Sequence, residues 1–254
     1  MPNITWFDNS DILAFPNVER AMNDPDGLLA AGGNLSVPTL SLAYRSGIFP
    51  WFDNDQPILW WSPSVRAIID TGDIHVSKNM KKLIRQSRYS VRADTCFDTV
   101  IERCARANAH RPATWITDDM RRAYQTLFNC GVAHSIEVFS GKDDPEDNSG
   151  KSSKKSPGRL VGGLYGVFVR NCFCGESMFS TEPNTSKLAL IQLARFLQAQ
   201  RCEIIDCQLP TPHLASMGAV EVPRNAFIKR LTTMQDNHHL VAKQWDSLWN
   251  QTVE

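Results

Sequence analysis

The sequence predicts an α+β fold in which a small N-terminal domain precedes a larger domain of layered strands and helices. Residues 1–65 are dense in Pro, Gly and Trp and contain one short helix pattern. From residue 66 the order strand, helices, antiparallel strands, helix and strand is typical of a layered α+β domain. An apolar hairpin at residues 160–180, followed by a short strand at 204–208, is the central feature of that domain.

Length and composition exclude several classes of protein. A chain of 254 residues with 42% hydrophobic and 21% charged residues can bury a sizeable core. The net charge is +0, so a contact with a polyanion requires a local basic patch. The N-terminus lacks the pattern of a signal peptide, and no apolar run approaches the roughly 20 residues of a membrane helix. We therefore expect a cytoplasmic protein that does not bind membranes.

Cysteine usage predicts reduced thiols and no metal site. The seven cysteines are an odd number without the spacing of a disulfide framework. Cys172 and Cys174 form one Cys-x-Cys pair, but no second pair matches it, so buried thiols on a strand are the better interpretation.

The N-terminal region carries a turn, a helix and an aromatic cluster. Residues 24–27 (Asp-Pro-Asp-Gly) predict a turn. Ser36 is the expected N-cap of a helix over about residues 38–46 that stops at Gly47. Three tryptophans and two phenylalanines lie between residues 47 and 63. They form either a loop-rich aromatic core or a stacking wall for a base or an aromatic side chain, and both can hold.

The larger domain opens with a predicted strand over residues 66–76 and a helix that Ser77 caps. One face of this helix is apolar, and the opposite face carries four cations with no acid among them, Lys78, Lys81, Lys82 and Arg85. Such a stripe is either a solvated face or a contact for a phosphate backbone. The next predicted elements are a strand at 89–93, helices at 97–107 and at 118–129 with Thr117 as N-cap, a strand at 133–139, and a mobile hydrophilic loop at 141–157.

The central hairpin carries an unusual carboxylate. The turn is expected at Arg170-Asn171, where Asn171 tolerates a positive φ. Strand alternation would place Cys172, Cys174, Glu176 and Met178 on one face. A carboxylate in so apolar a strand needs a partner or a shifted pKa, unless Glu176 lies at a solvated strand end.

The stretch after the hairpin repeats this combination. A buried helix capped near Thr185 or Ser186 leads to the strand 204–208, where Asp206 and Gln208 share one face. This indicates either a polar functional site or a strand that ends here and continues into a loop. His213 is expected to cap a helix or to lie in the core, not to act as a base. The last helix is predicted at 227–234, and the tail around Trp245 and Trp249 is expected to be poorly ordered.

Nine runs, in collinear order over about residues 12–231, resemble the leucyl/phenylalanyl-tRNA–protein transferase family. They are residues 25–35 (PDGLLAAGGNL), 43–52 (AYRSGIFPWF), 57–63 (PILWWSP), 114–116 (TWI), 133–137 (AHSIE), 160–166 (LVGGLYG), 173–180 (FCGESMFS), 205–208 (IDCQ) and 215–219 (ASMGA). Three features depart from the family pattern: the insertion at 141–157, Val65 in place of proline, and Leu164 in place of methionine.

The resemblance implies a cytoplasmic bacterial enzyme that uses no ATP, no metal and no other cofactor. It would move Leu, Phe or Met from aminoacyl-tRNA to the N-terminal α-amine of proteins that begin with Arg or Lys. The product would be marked for N-end rule degradation. The implied fold is a small N-terminal domain (1–65) and a GCN5-type N-acetyltransferase-like domain (66–235), followed by a tail (236–254). A monomer is expected.

The resemblance also assigns roles to residues. Gln208 would contact the attacking amine, Asp206 would polarise Gln208, and Glu176 would either hold Gln208 or pair with the acceptor's basic side chain. We expect Gln208 to position the amine, because an amide oxygen is a very weak base. The implied aminoacyl pocket consists of Leu164, Phe173, Met178, Leu190 and Ile205. Tyr44, Trp51 and Trp115 would line the site near the terminal adenosine, and the stripe of Lys78, Lys81, Lys82 and Arg85 would contact the tRNA backbone.

Two other classes of protein are weighed against this one. An acyl-CoA N-acyltransferase should carry an Arg/Gln-x-x-Gly-x-Gly/Ala loop before a helix, and the sequence has none. A non-catalytic module that binds RNA or peptide would not need the combination of Glu176, Asp206 and Gln208.

Overall fold

The computed structural model describes residues 4–106, 115–141, 158–237, 240 and 245–253. The strands are β1 (Thr5–Phe7), β2 (Leu28–Gly32), β3 (Phe49–Pro50), β4 (Leu59–Trp61), β5 (Val65–Asp70), β6 (Tyr89–Ala93), β7 (Ala133–Ser140), β8 (Arg159–Val169), β9 (Cys172–Ser180), β10 (Ile204–Gln208) and β11 (Val220–Pro223). The helices are α1 (Val37–Arg45), α2 (Lys78–Arg85), α3 (Phe97–Ala105), α4 (Asp118–Asn129), α5 (Thr185–Ala199), α6 (Pro212–Ser216), α7 (Arg224–Thr233) and α8 (Trp245–Val253).

The strands form two sheets. A small sheet in the order β1-β2-β4-β3 belongs to the N-terminal part, and a seven-stranded sheet in the order β11-β5-β10-β9-β8-β7-β6 belongs to the rest. Neighbouring strands run antiparallel except for β1 with β2 and β9 with β10, which are parallel. The predicted α+β class is confirmed. We propose that the boundary between the two domains lies near residue 65, between β4 and β5.

The large sheet lies between two hydrophobic clusters. Helices α3 and α4 pack on one face, together with residues of the N-terminal part and α7. Helices α5 and α8 pack on the other face. None of the described helices is long and apolar enough to span a membrane.

Three helices begin where their caps predict. The side chains of Ser36, Ser77 and Thr117 each accept a hydrogen bond from the main-chain N–H three residues further on. Gly47 and Gly131 follow the ends of α1 and α4 with φ of 72° and 73°, a conformation that glycine adopts without strain. These elements depend on contacts a few residues apart, which is why the pattern finds them.

Three local predictions were wrong. The strand predicted over residues 66–76 ends at Asp70 and continues as a turn of 3-10 helix, Thr71–Asp73. The positive φ of the hairpin turn falls on Arg170 (55°) and not on Asn171, whose side chain instead donates a hydrogen bond to the Arg201 carbonyl. The N-cap of α5 is Asn184, one residue before the predicted Thr185, whose hydroxyl instead donates to the Val161 carbonyl at 2.8 Å.

The tail around Trp245 and Trp249 was expected to be poorly ordered, and this was wrong for the described residues 245–253. It forms α8, whose Trp245 and Trp249 are almost fully buried against α5 and the sheet. The indole N–H groups donate to the carbonyls of Leu240 and Val91. The loop predicted at 141–157 lies, apart from Gly141, outside the described residues.

A β-bulge in β9 changes which side chains share a face. Tyr165 pairs with Ser177 and Gly166 with Gly175, so Glu176 is an extra residue between two paired positions. The alternation reverses there: Cys172 and Cys174 belong to the cluster under α3 and α4, whereas Met178 packs in the cluster under α5. The prediction of one shared face was therefore wrong for Met178. The predicted burial of the Cys172 and Cys174 thiols is confirmed.

Candidate active site

Two irregularities in neighbouring strands bring Glu176 and Gln208 together. Glu176 occupies the bulge of β9, and the pairing of β10 with β5 shifts register between Asp206 and Gln208. Gln208 has a φ of 64°, an uncommon conformation for a residue other than glycine. Its Nε2 donates a hydrogen bond of 2.7 Å to Glu176 Oε1. The amide oxygen of Gln208 has no hydrogen-bond partner among the described residues, so it is available to a substrate amine.

Asp206 is fully buried and holds the backbone of Gln208, not its side chain. Its Oδ1 accepts hydrogen bonds from Arg66 Nε at 2.8 Å and from the Gln208 main-chain N–H at 2.9 Å. Its Oδ2 accepts a bond of 2.7 Å from Arg66 Nη2. The expectation that Asp206 polarises the amide of Gln208 does not fit this geometry, because the carboxylate that contacts the amide is Glu176.

Arg66 is a central residue that the sequence reasoning missed. Its guanidinium lies between the rings of Phe49 and Phe227, 4.8 Å from each centroid. Burial alone would lower the pKa of Arg66, but the Asp206 carboxylate outweighs it and the net shift is upward. The sequence signal that could have identified Arg66 is a lone arginine in the apolar strand Val65–Asp70.

Two buried tyrosines complete the contacts of Glu176. Tyr124 donates to Glu176 Oε2 at 2.7 Å, and the hydroxyls of Tyr44 and Tyr124 are 2.5 Å apart. Burial, followed by the charge of Glu176, raises the pKa of both tyrosines well above 10, so both stay protonated. Tyr44 is only 1% exposed, so its ring does not line the site, contrary to the expectation. It instead supports Glu176 from the buried side. Tyr124, on the apolar face of α4, was missed.

The protonated and the charged forms of Glu176 are close in free energy near neutral pH. Burial raises its pKa to about 7, although the hydrogen bonds from Tyr124, Tyr44 and Gln208 favour the charged form. Both carboxylate oxygens already have donors inside the protein. Of the two roles left open for Glu176, the geometry supports holding Gln208.

A cavity of about 260 Å³ opens beside this pair. All five residues of the expected aminoacyl pocket line it: Leu164, Phe173, Met178, Leu190 and Ile205. Glu176 and Gln208 form part of its wall, and Thr211 and His213 lie at the start of α6. His213 is exposed, so its predicted place in the core was wrong, and the helix cap is Thr211. Partial burial and then the charge of Lys187 lower the pKa of His213.

A second cavity of about 160 Å³ lies on the other side of the same pair. Its walls include Trp51 and Trp115 together with Glu176 and Gln208. Trp51 is 43% exposed and rests against Trp61, with ring centroids 5.7 Å apart. The two tryptophans thus offer aromatic surface next to the polar centre, as expected for a stacking wall.

The four cations of α2 are all exposed, namely Lys78, Lys81, Lys82 and Arg85. Within the described part of the chain none of them forms an ion pair. No group of three or more His, Cys, Asp or Glu in that part of the chain is arranged to hold a metal ion.

Comparison with known proteins gives a consistent result. Residues 68–232 match the family model described as leucyl/phenylalanyl-tRNA protein transferase, and residues 33–64 match the model of its N-terminal domain. The chain is 46% identical over 231 residues to the leucyl/phenylalanyl-tRNA–protein transferase of Hahella chejuensis, covering 91% of each chain. It is 48% identical over 228 residues to that of Pseudoalteromonas atlantica, covering 90% of this chain and 91% of the relative.

Among solved structures, the crystal structure of FemX has a TM-score of 0.46 at 11% identity, covering 74% of this chain and 66% of FemX. The family model covers the strands that carry Glu176, Asp206 and Gln208. The chain belongs to the leucyl/phenylalanyl-tRNA–protein transferase family.

Proposed function

We propose that the protein transfers Leu, Phe or Met from aminoacyl-tRNA to the N-terminal α-amine of proteins that begin with Arg or Lys. The relatives of the chain are named for aminoacyl transfer from tRNA to protein. The acceptor would thereby be marked for N-end rule degradation. In this proposal the enzyme works as a monomer in the cytoplasm and uses no ATP.

The observation that carries the proposal is that two cavities meet at Glu176 and Gln208. The apolar cavity suits the aminoacyl side chain, because it is lined by aliphatic, aromatic and methionine side chains. The aromatic cavity suits the terminal adenosine, whose base can stack on Trp51 or Trp115. The ester carbonyl that joins these two parts of the substrate would then lie next to Gln208.

The chemistry asks the protein mainly to align its substrates, since the ester is already activated. The neutral amine attacks the ester carbonyl, the new C–N bond forms, and the C–O bond to the terminal ribose breaks. Gln208 accepts a hydrogen bond from the amine through its free amide oxygen, while Glu176 fixes the amide through Nε2. The proton passes, directly or through a water, to the ribose oxygen that leaves, which becomes a hydroxyl.

The proposal is tested by transfer of radiolabelled leucine from Leu-tRNA to a peptide that begins with Arg, without ATP. The matched control is the same peptide with an acetylated N-terminus. We expect label on the free peptide alone. If neither peptide takes label while the protein still binds charged tRNA, the protein is a binding module and the proposal is wrong.

A further inference from the structure

Neither carboxylate at the polar centre is free to bind a cationic substrate group. Glu176 accepts hydrogen bonds from Gln208 and Tyr124 on its two oxygens. Asp206 is fully buried and accepts both of its side-chain bonds from Arg66. A substrate cation would have to break these contacts, and removing one partner of a buried ion pair is strongly unfavourable.

A third cavity, of about 360 Å³, lies next to the apolar cavity and shares Thr211 with it. Its walls are mostly small or ring-closed side chains, and one carboxylate stands among them, Glu221. The lining is completed by Ala67, Pro210, Pro212, Ala215, Ala219 and Val220. Three alanines in one wall leave room for a long, thin side chain.

The register of the large sheet places Glu221 level with Gln208. Ala67 of β5 pairs with Gln208 of β10 on one side and with Glu221 of β11 on the other. The Cα atoms of Gln208 and Glu221 are thus two strand spacings apart, about 9.5 Å. Ala67 lines the cavity between them, so the small side chain of the middle strand keeps this path open.

The carboxylate of Glu221 is exposed and has no partner in the described part of the chain. β11 is the edge strand of the sheet, and Val220 beside it is 50% exposed. An unpaired carboxylate at the end of a groove lined by Ala, Pro and Val complements a side chain that carries a cation on an aliphatic stem.

We propose that this third cavity binds the side chain of the acceptor's N-terminal residue, with the aliphatic stem over Ala67 and Ala219 and the cation at Glu221. The proposal rests on the proposed function, because it places the acceptor's α-amine at Gln208. It makes Glu221 a specificity-determining residue that does not take part in the chemistry.

The test compares two peptides that differ only in their first residue, lysine or norleucine, which has the same stem without the ammonium group. Leucine transfer to each is measured with the wild type, with Glu221→Gln and with the control Glu203→Gln. Glu203 directly precedes β10 and lies about 16 Å along the strand from Gln208. Glu203→Gln removes the same charge as Glu221→Gln. All three proteins are first compared by circular dichroism and thermal unfolding.

We expect Glu221→Gln to lower kcat/KM for the lysine peptide about two- to fivefold, mainly through KM, as for a partly exposed ion pair. Transfer to the norleucine peptide should not change, and Glu203→Gln should match the wild type with both peptides. Glu221→Lys should reduce transfer to the lysine peptide further than Glu221→Gln.

Equal losses on both peptides, or no loss on the lysine peptide, would overturn the assignment of Glu221. If the wild type itself transfers no leucine to the lysine peptide, the failure lies with the proposed function. The wild-type reaction therefore distinguishes the two failures.

Discussion

The ion pair between Arg66 and Asp206 connects the protein core to the geometry of Gln208. Both side chains are almost completely inaccessible, 2% and 0% exposed. Desolvation makes such a pair weak evidence for net stabilisation, yet loss of one partner leaves an uncompensated buried charge. The pair therefore acts mainly by fixing Gln208 in its left-handed conformation, through the bond from the Gln208 N–H to Asp206.

Replacing Arg66 by Met should lower the free energy of unfolding by about 3–5 kcal/mol, because Asp206 then stays buried without its partner. Arg45→Met should cost about 1 kcal/mol or less, since its pair with Asp236 is partly exposed. Urea unfolding measures both. Adding Asp206→Leu to Arg66→Met should recover part of the loss. Strictly additive effects would contradict the coupling.

A second buried glutamate, Glu137, makes stability depend on pH. Its carboxylate accepts hydrogen bonds from Ser135 and Thr95, but burial still raises its pKa from 4.5 to about 7. Between these values the unfolded chain has released the proton and the folded protein retains it. Stability therefore falls as the pH rises from about 4.5 to about 7. Glu176 contributes in the same direction.

Glu137→Gln should flatten this pH dependence, because one of the two buried protons no longer titrates. The slope contributed by each group is at most about 1.4 kcal/mol per pH unit. Urea unfolding at a series of pH values between 5 and 8 measures the slope, and exposed Glu19→Gln serves as the control. An unchanged slope in Glu137→Gln would show that Glu137 titrates normally.

The bulge of β9 depends on Gly166 of β8, which pairs with Gly175 next to the bulge. A Cβ on Gly166 would overlap the carbonyl oxygen of Cys174 and lie 2.6 Å from Cε1 of Phe173. A Cβ on its partner Gly175 would meet only the Asp206 carbonyl oxygen, at an ordinary 3.7 Å. The close approach of β8 and β9 next to Glu176 therefore requires glycine on one strand and not on the other.

Gly166→Ala should destabilise the protein by about 3 kcal/mol, because β8 or Phe173 must move. Gly175→Ala should stay within about 1 kcal/mol of the wild type. Thermal or urea unfolding of the two variants provides the measurement. Similar values for both positions would mean that the strand spacing at the bulge does not depend on Gly166.

The contrast between helices and bulges shows what the sequence could predict. The caps Ser36, Ser77 and Thr117 act on N–H groups three residues away, so their helices were found from local patterns. The bulge at Glu176 depends on pairing with a second strand, and a period of two cannot reveal it. Arg66 and Asp206 are 140 residues apart, so their pairing had no local signal. The apolar pocket came from the resemblance to the family, and its five residues do line one cavity.

Helix α2 presents the cationic stripe as a separate element. Lys81→Glu with Lys82→Glu should weaken tRNA binding and lower the log–log salt slope by about 2, because each lost phosphate contact removes about one unit. Binding is measured at several KCl concentrations. Arg20→Glu with Lys229→Glu, on exposed positions elsewhere, makes the same charge change. Equal effects of the two pairs would indicate a general charge effect and not a contact of α2.

The molecule as a whole places the polar centre of the candidate site between two hydrophobic clusters. Arg66, Asp206 and Tyr124 extend from the cluster under α3 and α4, and Phe173 and Leu190 from the cluster under α5 and α8. Glu176 and Gln208 lie where the two sides meet, with a cavity on each side. Packing far from the polar centre can therefore change the shape of these two cavities.

Helix α8 supports the apolar cavity from behind, since Trp245 lies 5.9 Å from Phe173 and 5.1 Å from Phe196, centroid to centroid. Trp245 also stacks on His134 at 3.9 Å. Trp245→Ala should lower the free energy of unfolding by about 3–5 kcal/mol, because a buried indole leaves a cavity that the core fills only in part.

Trp245→Ala should also raise KM for aminoacyl-tRNA, because Phe173 loses its support. Trp6→Ala should leave KM unchanged, because Trp6 is 64% exposed. Unfolding and transfer kinetics are measured on both proteins at a temperature where each remains folded. A destabilised Trp245→Ala variant with normal KM would show that α8 stabilises the fold without shaping the aminoacyl cavity. A raised KM in the folded variant would show that the C-terminal helix helps to set that shape through Phe173.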